Sequence, residues 1–232
     1  IDLEAAWTRG IRVVDTTNGS SYPTAEWALA LLMISLRNAG EHFRRIAAGG
    51  PWGRPHPDPG YDRGELAGKR IGLIGCGHAG RRLLRLLRPF EVEVWVYDPY
   101  LPGELPEALG FVRTSLDRVL AGTEAVVCLA PLTPSTRRLI GARELDLIPS
   151  GSVFVNVSRG AIVDPDALVA RLRRGDIVAG LDVFDPEPIP AGHPITTLPN
   201  VFVTPHIAGV TAASRPRFFA LMVDELTRFF AG

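Results

Sequence analysis

The run Gly75-Cys76-Gly77-His78-Ala79-Gly80 places three glycines at the spacing with which a backbone turn wraps a phosphate. It follows an apolar stretch, Ile71-Gly72-Leu73-Ile74, and opens a helical one that runs to Leu87. Asp98 closes the next apolar stretch, Val92 to Tyr97. Alone, such a run is explained by any glycine-rich turn at a strand end. Strand, helix and distal acid together supply the full context of a dinucleotide site. Gly75 would permit the tight turn, Gly77 would let the backbone approach a pyrophosphate, and Gly80 would let helix pack on strand. The helix N-terminus then offers free N–H groups and a favourable dipole to phosphate. Asp98 would accept from the adenosine ribose hydroxyls and repel a 2′-phosphate, which favours NAD over NADP.

The elements that must position this turn are legible in the surrounding pattern. Short apolar segments recur at Ala125–Leu129, Ser152–Asn156, Val178–Val183 and Val201–Thr204, with helical stretches between several of them. One such helix is Pro165–Arg173, where Asp164 is placed to cap. Strands apolar throughout and separated by helices indicate a parallel sheet covered on both faces. Upstream, Ile11-Arg12-Val13-Val14-Asp15 reads as a short strand. A helix rich in strong formers begins near Pro23 and covers Ala25–Asn38. Gly49–Gly64 is proline- and glycine-rich and reads as a loop. Ala212–Phe230 carries Phe218, Leu221, Met222, Leu226 and Phe229 at helical spacing.

Composition bounds the class. The chain has 232 residues, 46% of them hydrophobic and 22% charged, with 25 basic and 25 acidic side chains. That excludes a disordered chain. The neutral balance lacks the footprint of a nucleic-acid or membrane-surface binder. The longest apolar run, Trp27–Leu36, is about half of what a bilayer span needs and reads as a buried helix. The two cysteines, Cys76 and Cys128, are too few for a disulfide scaffold and read as small buried residues in a reducing, cytoplasmic compartment. No His, Cys or carboxylate cluster has metal-ligand spacing. His42, His56 and His193 read as solvated.

Three further stretches complete a pattern: Asn156-Val157-Ser158-Arg159-Gly160, Asp182-Val183-Phe184-Asp185-Pro186-Glu187-Pro188, and Thr204-Pro205-His206-Ile207-Ala208-Gly209. Taken singly, an Arg after Ser158 serves equally as a surface charge, and a His after Pro205 as a core histidine. Together with the glycine run, in this order, the stretches resemble the D-isomer-specific 2-hydroxyacid dehydrogenases along the whole chain. The resemblance implies a doubly wound α/β Rossmann domain with an incomplete flavodoxin-like substrate domain. The expected division is 1–17 residual substrate-domain segment, 18–206 cofactor domain and 207–232 returning helix.

The resemblance also implies roles. Arg159 matches the family's substrate-binding Arg, Glu187 its acid and His206 its proton carrier. The chemistry suits them: hydride addition to a 2-keto acid builds negative charge on the carbonyl oxygen, which an imidazole held by a carboxylate can protonate. A guanidinium fork matches the substrate carboxylate. For NAD, His78 and Ala79 would meet the pyrophosphate, and Ala130, Pro131 and Thr136 would flank the adenosine. Val157 and Ser158 follow along the same cleft. Asp182 would hold the nicotinamide carboxamide, and Thr24 would approach the nicotinamide.

The implied partners are a small 2-keto or 2-hydroxy acid and a second copy of the chain, met near Pro23–Asn38, with neither nucleic acid nor membrane. Departures include His78, where the family often has Arg, and Phe90-Glu91, where Gly commonly follows the aromatic. The family also carries a substrate-domain segment ahead of the position matched by Ile1, so a fragment of a longer enzyme is expected. Two alternatives stay open: a non-catalytic NAD-sensing relative, and a phosphite-type dehydrogenase with the same Arg, Glu and His.

Overall fold

A computed structural model describes residues 1–52 and 64–231. Short α1 (Leu3–Thr8) leads to α2 (Ser21–Leu36) and α3 (Ala39–Ala47). Strands and helices then alternate: β1 (Arg70–Ile74), α4 (His78–Leu87), β2 (Glu93–Tyr97), α5 (Leu105–Leu109), β3 (Val112–Arg113), α6 (Leu116–Gly122), β4 (Ala125–Cys128), α7 (Ala142–Leu147), β5 (Val153–Asn156), α8 (Pro165–Leu172), β6 (Val178–Leu181) and β7 (Val201–Val203). The long α9 (Ser214–Ala231) ends the chain as described.

The strands form one sheet in the order β3-β2-β1-β4-β5-β6-β7, every pair parallel. Side chains alternate across a strand, so each strand feeds two cores. Leu73, Val96, Val127, Val155 and Val178 pack on the face covered by α2 and α4. Ile74, Val126, Phe154, Ala179 and Leu181 pack on the other face with α6, α7 and α8. Strands apolar throughout therefore have no wet side, as their sequences predicted.

Helix α2 lies across β5, β6 and β7 and is buried along Ala25, Ala28, Leu31, Leu32 and Leu36. It comes in close because β6 offers Gly180, where a Cβ would fall 2.7 Å from Ser35 Oγ. Asp164 caps α8 as expected, its Oδ1 accepting from the Asp166 and Ala167 N–H groups.

Three expectations from sequence changed. Residues 11–15 form no strand: Ile11 and Val14 are exposed, and among the described residues no strand pairs with them. An unpaired strand leaves its N–H and C=O groups without partners, so apolar alternation alone does not make one. Conversely, β3 was not anticipated, because two exposed residues on a sheet edge carry no period. His42 and His193 are both half-buried rather than solvated, and His193 Nδ1 accepts from the Ile195 N–H. The expected loop at Gly49–Gly64 falls for the most part, and His56 entirely, outside the described residues. No described helix is long and apolar enough to cross a membrane.

Candidate active site and cofactor cleft

In an open parallel sheet, ligands meet the carboxyl ends of the strands where the strand order reverses, here between β1 and β4. The glycine run begins at that point. Gly75 stands at φ 93°, and a Cβ there would lie 2.6 Å from the Ala130 nitrogen, so the turn after β1 and the chain after β4 touch backbone to backbone. A Cβ on Gly80 would lie 2.7 Å from the Gly75 oxygen. At Gly77 nothing comes within 4 Å of that position. Gly75 and Gly80 are required by protein contacts, whereas Gly77 faces open space at the start of α4.

No side chain caps α4, and the first N–H groups of a helix have no acceptor within it. His78 is exposed there and Ala79 half-buried. The residues present thus fit a pyrophosphate: an uncapped helix start beside space that a single methyl group would occupy. Asp98, half-buried beyond β2, accepts from the Cys76 N–H at 2.9 Å and the Tyr100 N–H at 3.0 Å. Two backbone donors fix the carboxylate and leave it lone pairs for ribose hydroxyls.

Beyond β4, the loop is organised by its own polar groups. Thr136 donates to the Pro131 carbonyl at 2.6 Å and accepts from the Thr133 N–H at 2.7 Å. Ala130 is buried, and its carbonyl accepts from the Ser158 hydroxyl. Val157 is buried beside β4. Asn156, quoted above without a role, accepts from the Ser158 N–H at 3.0 Å and donates to the Arg159 carbonyl at 3.3 Å. Its signal in the sequence is a lone amide ending an otherwise apolar strand.

Arg159 is exposed, and its guanidinium donates to the Ser158 carbonyl at 2.7 Å. Next to it, a Cβ on Gly160 would fall 1.9 Å from the Phe184 carbonyl carbon. That close approach presses the Arg159 turn onto the loop carrying Glu187. His206 Nδ1 meets Glu187 Oε1 at 2.9 Å, with the two side chains 39% and 34% exposed. The three residues come from the ends of β5, β6 and β7, and the fold brings them to one edge. Thr24 on α2 faces the same turn, its Oγ1 3.7 Å from where a Cβ on Gly209 would stand.

Asp182 has a task that the resemblance did not imply. It is 0% exposed, and its carboxylate accepts from the Ile207 N–H at 3.0 Å, the Ala208 N–H at 2.8 Å and the Thr204 hydroxyl. Its carbonyl accepts from the His206 N–H at 2.8 Å. The turn bearing His206 is thus fastened to one buried residue. Cys76 and Cys128 are both buried, as expected; burial pushes their thiols up to about 11 and about 12. No described group of side chains could hold a metal ion.

A family model described as D-isomer specific 2-hydroxyacid dehydrogenase, NAD binding domain, matches residues 29–208. A glyoxylate reductase from Aeropyrum pernix is 36% identical over 238 residues, spanning 100% of this chain and 70% of the relative. A D-3-phosphoglycerate dehydrogenase from Methanocaldococcus jannaschii is 32% identical over the whole of this chain, which spans only 44% of that relative's length. Among solved structures, an NAD-dependent formate dehydrogenase from Staphylococcus aureus in complex with NAD superposes with a TM-score of 0.83. It is 34% identical and covers 99% of this chain, which in turn covers 68% of it.

Proposed function

The chain belongs to the D-isomer specific 2-hydroxyacid dehydrogenase family, with residues 29–208 forming its NAD-binding domain, and on that premise we propose that it interconverts a 2-keto acid and a D-2-hydroxy acid. The observation that carries this reading is the 2.9 Å contact between His206 and Glu187, set beside the open space at Gly77.

Gly75–Gly80 and Asp98 would hold NAD, which when bound would supply or accept the hydride at C2. His206 does the proton chemistry. With Nδ1–H directed at Glu187, Nε2 is the atom left to give a proton to the carbonyl oxygen during reduction and to take it from the hydroxyl during oxidation. Glu187 fixes the ring orientation and balances the imidazolium when it forms. Arg159 presents a planar fork to the substrate carboxylate and so aligns C2 for attack. Its exposed position is the one a substrate-binding group needs before ligand arrives.

The cofactor unit in this reading is 18–206, flanked by 1–17 and 207–232 as parts of the substrate-domain side. Support comes from the exposed apolar residues concentrated in those flanks, among them Trp7, Ile11, Val223 and Leu226. Association into a homodimer is supported by exposed Met33, Phe43 and Ile46 on α2 and α3.

The test is oxidation of NADH by the protein across a panel of small 2-keto acids, repeated with His206→Ala. The expected result is turnover with at least one acid, reduced on the order of 10² to 10⁴-fold in the variant while NADH affinity is kept. Turnover untouched by the substitution would remove His206 from the chemistry. Tight NADH binding by the full-length protein without turnover of any acid would replace this reading with a regulatory one.

A further inference from the structure

His206 occupies the left-handed backbone region at φ 54°, which is strained for a residue with a Cβ. Something must hold it there. Asp182 supplies the anchor, since the N–H groups of His206, Ile207 and Ala208 all end on it. The carboxylate is 0% exposed, and each oxygen takes one backbone N–H, Oδ1 from Ile207 and Oδ2 from Ala208. The Thr204 hydroxyl, 2.5 Å from Oδ1, adds a third bond to it.

The direction of this contact is not free. Trp27, on α2, places its indole Nε1 3.3 Å from Thr204 Oγ1, and an indole N–H only donates. Thr204 oxygen therefore accepts from Trp27, and its single hydrogen goes to Asp182. The chain of bonds runs one way, from α2 through Thr204 into the carboxylate that fastens the His206 turn. A hydroxyl with both functions engaged cannot turn away without giving up both bonds.

We propose that Thr204 and Trp27 are positioning residues for His206, setting the imidazole against Glu187 through the orientation of Asp182. Neither touches the reacting atoms. The proposal rests on the dehydrogenase reading only for its kinetic consequence; its structural consequence is readable without substrate.

The experiment compares the full chain with Thr204→Val, Thr204→Ser and Trp27→Phe. Thr204→Val keeps the side-chain shape and deletes the hydroxyl. The expected fall in kcat is roughly 10- to 100-fold, the scale of a misplaced reacting group. Thr204→Ser restores the hydroxyl and kcat. Trp27→Phe removes the outer bond along with part of the indole's packing on the core, and kcat falls by roughly 3- to 10-fold.

In parallel, imidazole nitrogen NMR shifts of His206 report whether Nδ1 holds its hydrogen toward Glu187. That signature is expected to average between tautomers in Thr204→Val and Trp27→Phe and to persist in Thr204→Ser. Wild-type nitrogen shifts in both Thr204→Val and Trp27→Phe would overturn the proposal. If Thr204→Val does not fold, Trp27→Phe and Thr204→Ser decide it by the same signature. A wild-type protein without turnover refutes the proposed activity, while the nitrogen shifts still decide the positioning.

Discussion

The three glycines of the phosphate turn have separable duties, and alanine substitution tells them apart. At Gly77 the added methyl meets nothing within 4 Å, and the backbone is extended at φ −71°. Folding stability should stay within about 1 kcal/mol of wild type, since no contact is broken and alanine restricts the unfolded chain. In the proposed cofactor mode the same methyl stands where a pyrophosphate oxygen approaches the start of α4. Losing one charge-assisted hydrogen bond of about 1.5–3 kcal/mol corresponds to roughly 10- to 150-fold weaker NADH binding.

At Gly80 the relation inverts. The methyl would sit 2.7 Å from the Gly75 oxygen, a backbone atom that no rotamer change can move aside. Overpacking of this kind costs about 1–3 kcal/mol, or a fall in Tm of roughly 2–12 °C for a protein of this size. Thermal unfolding by circular dichroism, alongside NADH titration by fluorescence, reads both quantities for each variant. Gly77→Ala that binds NADH like wild type, or that loses as much Tm as Gly80→Ala, would refute the assignment of the open space to phosphate.

Other consequences follow from the same structure. With Asp98 proposed as the ribose acceptor, Asp98→Ala should weaken NAD binding roughly 10- to 100-fold; it should also narrow the preference over NADP, and an unaltered ratio of the two affinities would exclude that role. Burial holds the thiols of Cys76 and Cys128 at about 11 and about 12, so a thiol reagent at mildly alkaline pH should find neither in the folded protein and both after unfolding.

Burial works to raise the Asp176 carboxyl. Hydrogen bonds from Arg171 and Ser150, with the Arg171 charge, outweigh it and hold the carboxyl below its ordinary range. Its contribution is therefore full above the unfolded value of about 3.9 and is lost as pH falls through the lower folded one. Asp176→Asn should destabilise the protein by about 2 kcal/mol at neutral pH, less than a fully enclosed pair because Asp176 is 30% exposed. The difference from wild type should close in acid, and a gap in urea midpoint that persists there would contradict the argument.

The sheet and the phosphate turn are local enough to read from sequence. Apolar runs such as Ala125–Cys128 and Val153–Asn156 are buried on both faces, so their composition is itself the signal of a central parallel strand. Gly75 and Gly80 answer to contacts a few residues away or at the adjacent strand end, which a fixed spacing can encode. The pairing of His206 with Glu187 was legible only through the order of motifs, since nothing within either stretch names its partner.

Other features belong to the tertiary structure alone. Residues 11–15 have the pattern of a strand and do not form one, because a strand exists only where another lies beside it. Asp182 has the look of a ligand contact, and in the fold its carboxylate also accepts from N–H groups 25 and 26 residues later in the chain. Trp27 and Thr204 stand 177 residues apart. The sequence places a tryptophan in a helix and a threonine at a strand end. Only packing α2 across the sheet brings the indole within reach of the hydroxyl, because hydrogen bonds act over about 3 Å and respond to distance in space rather than along the chain.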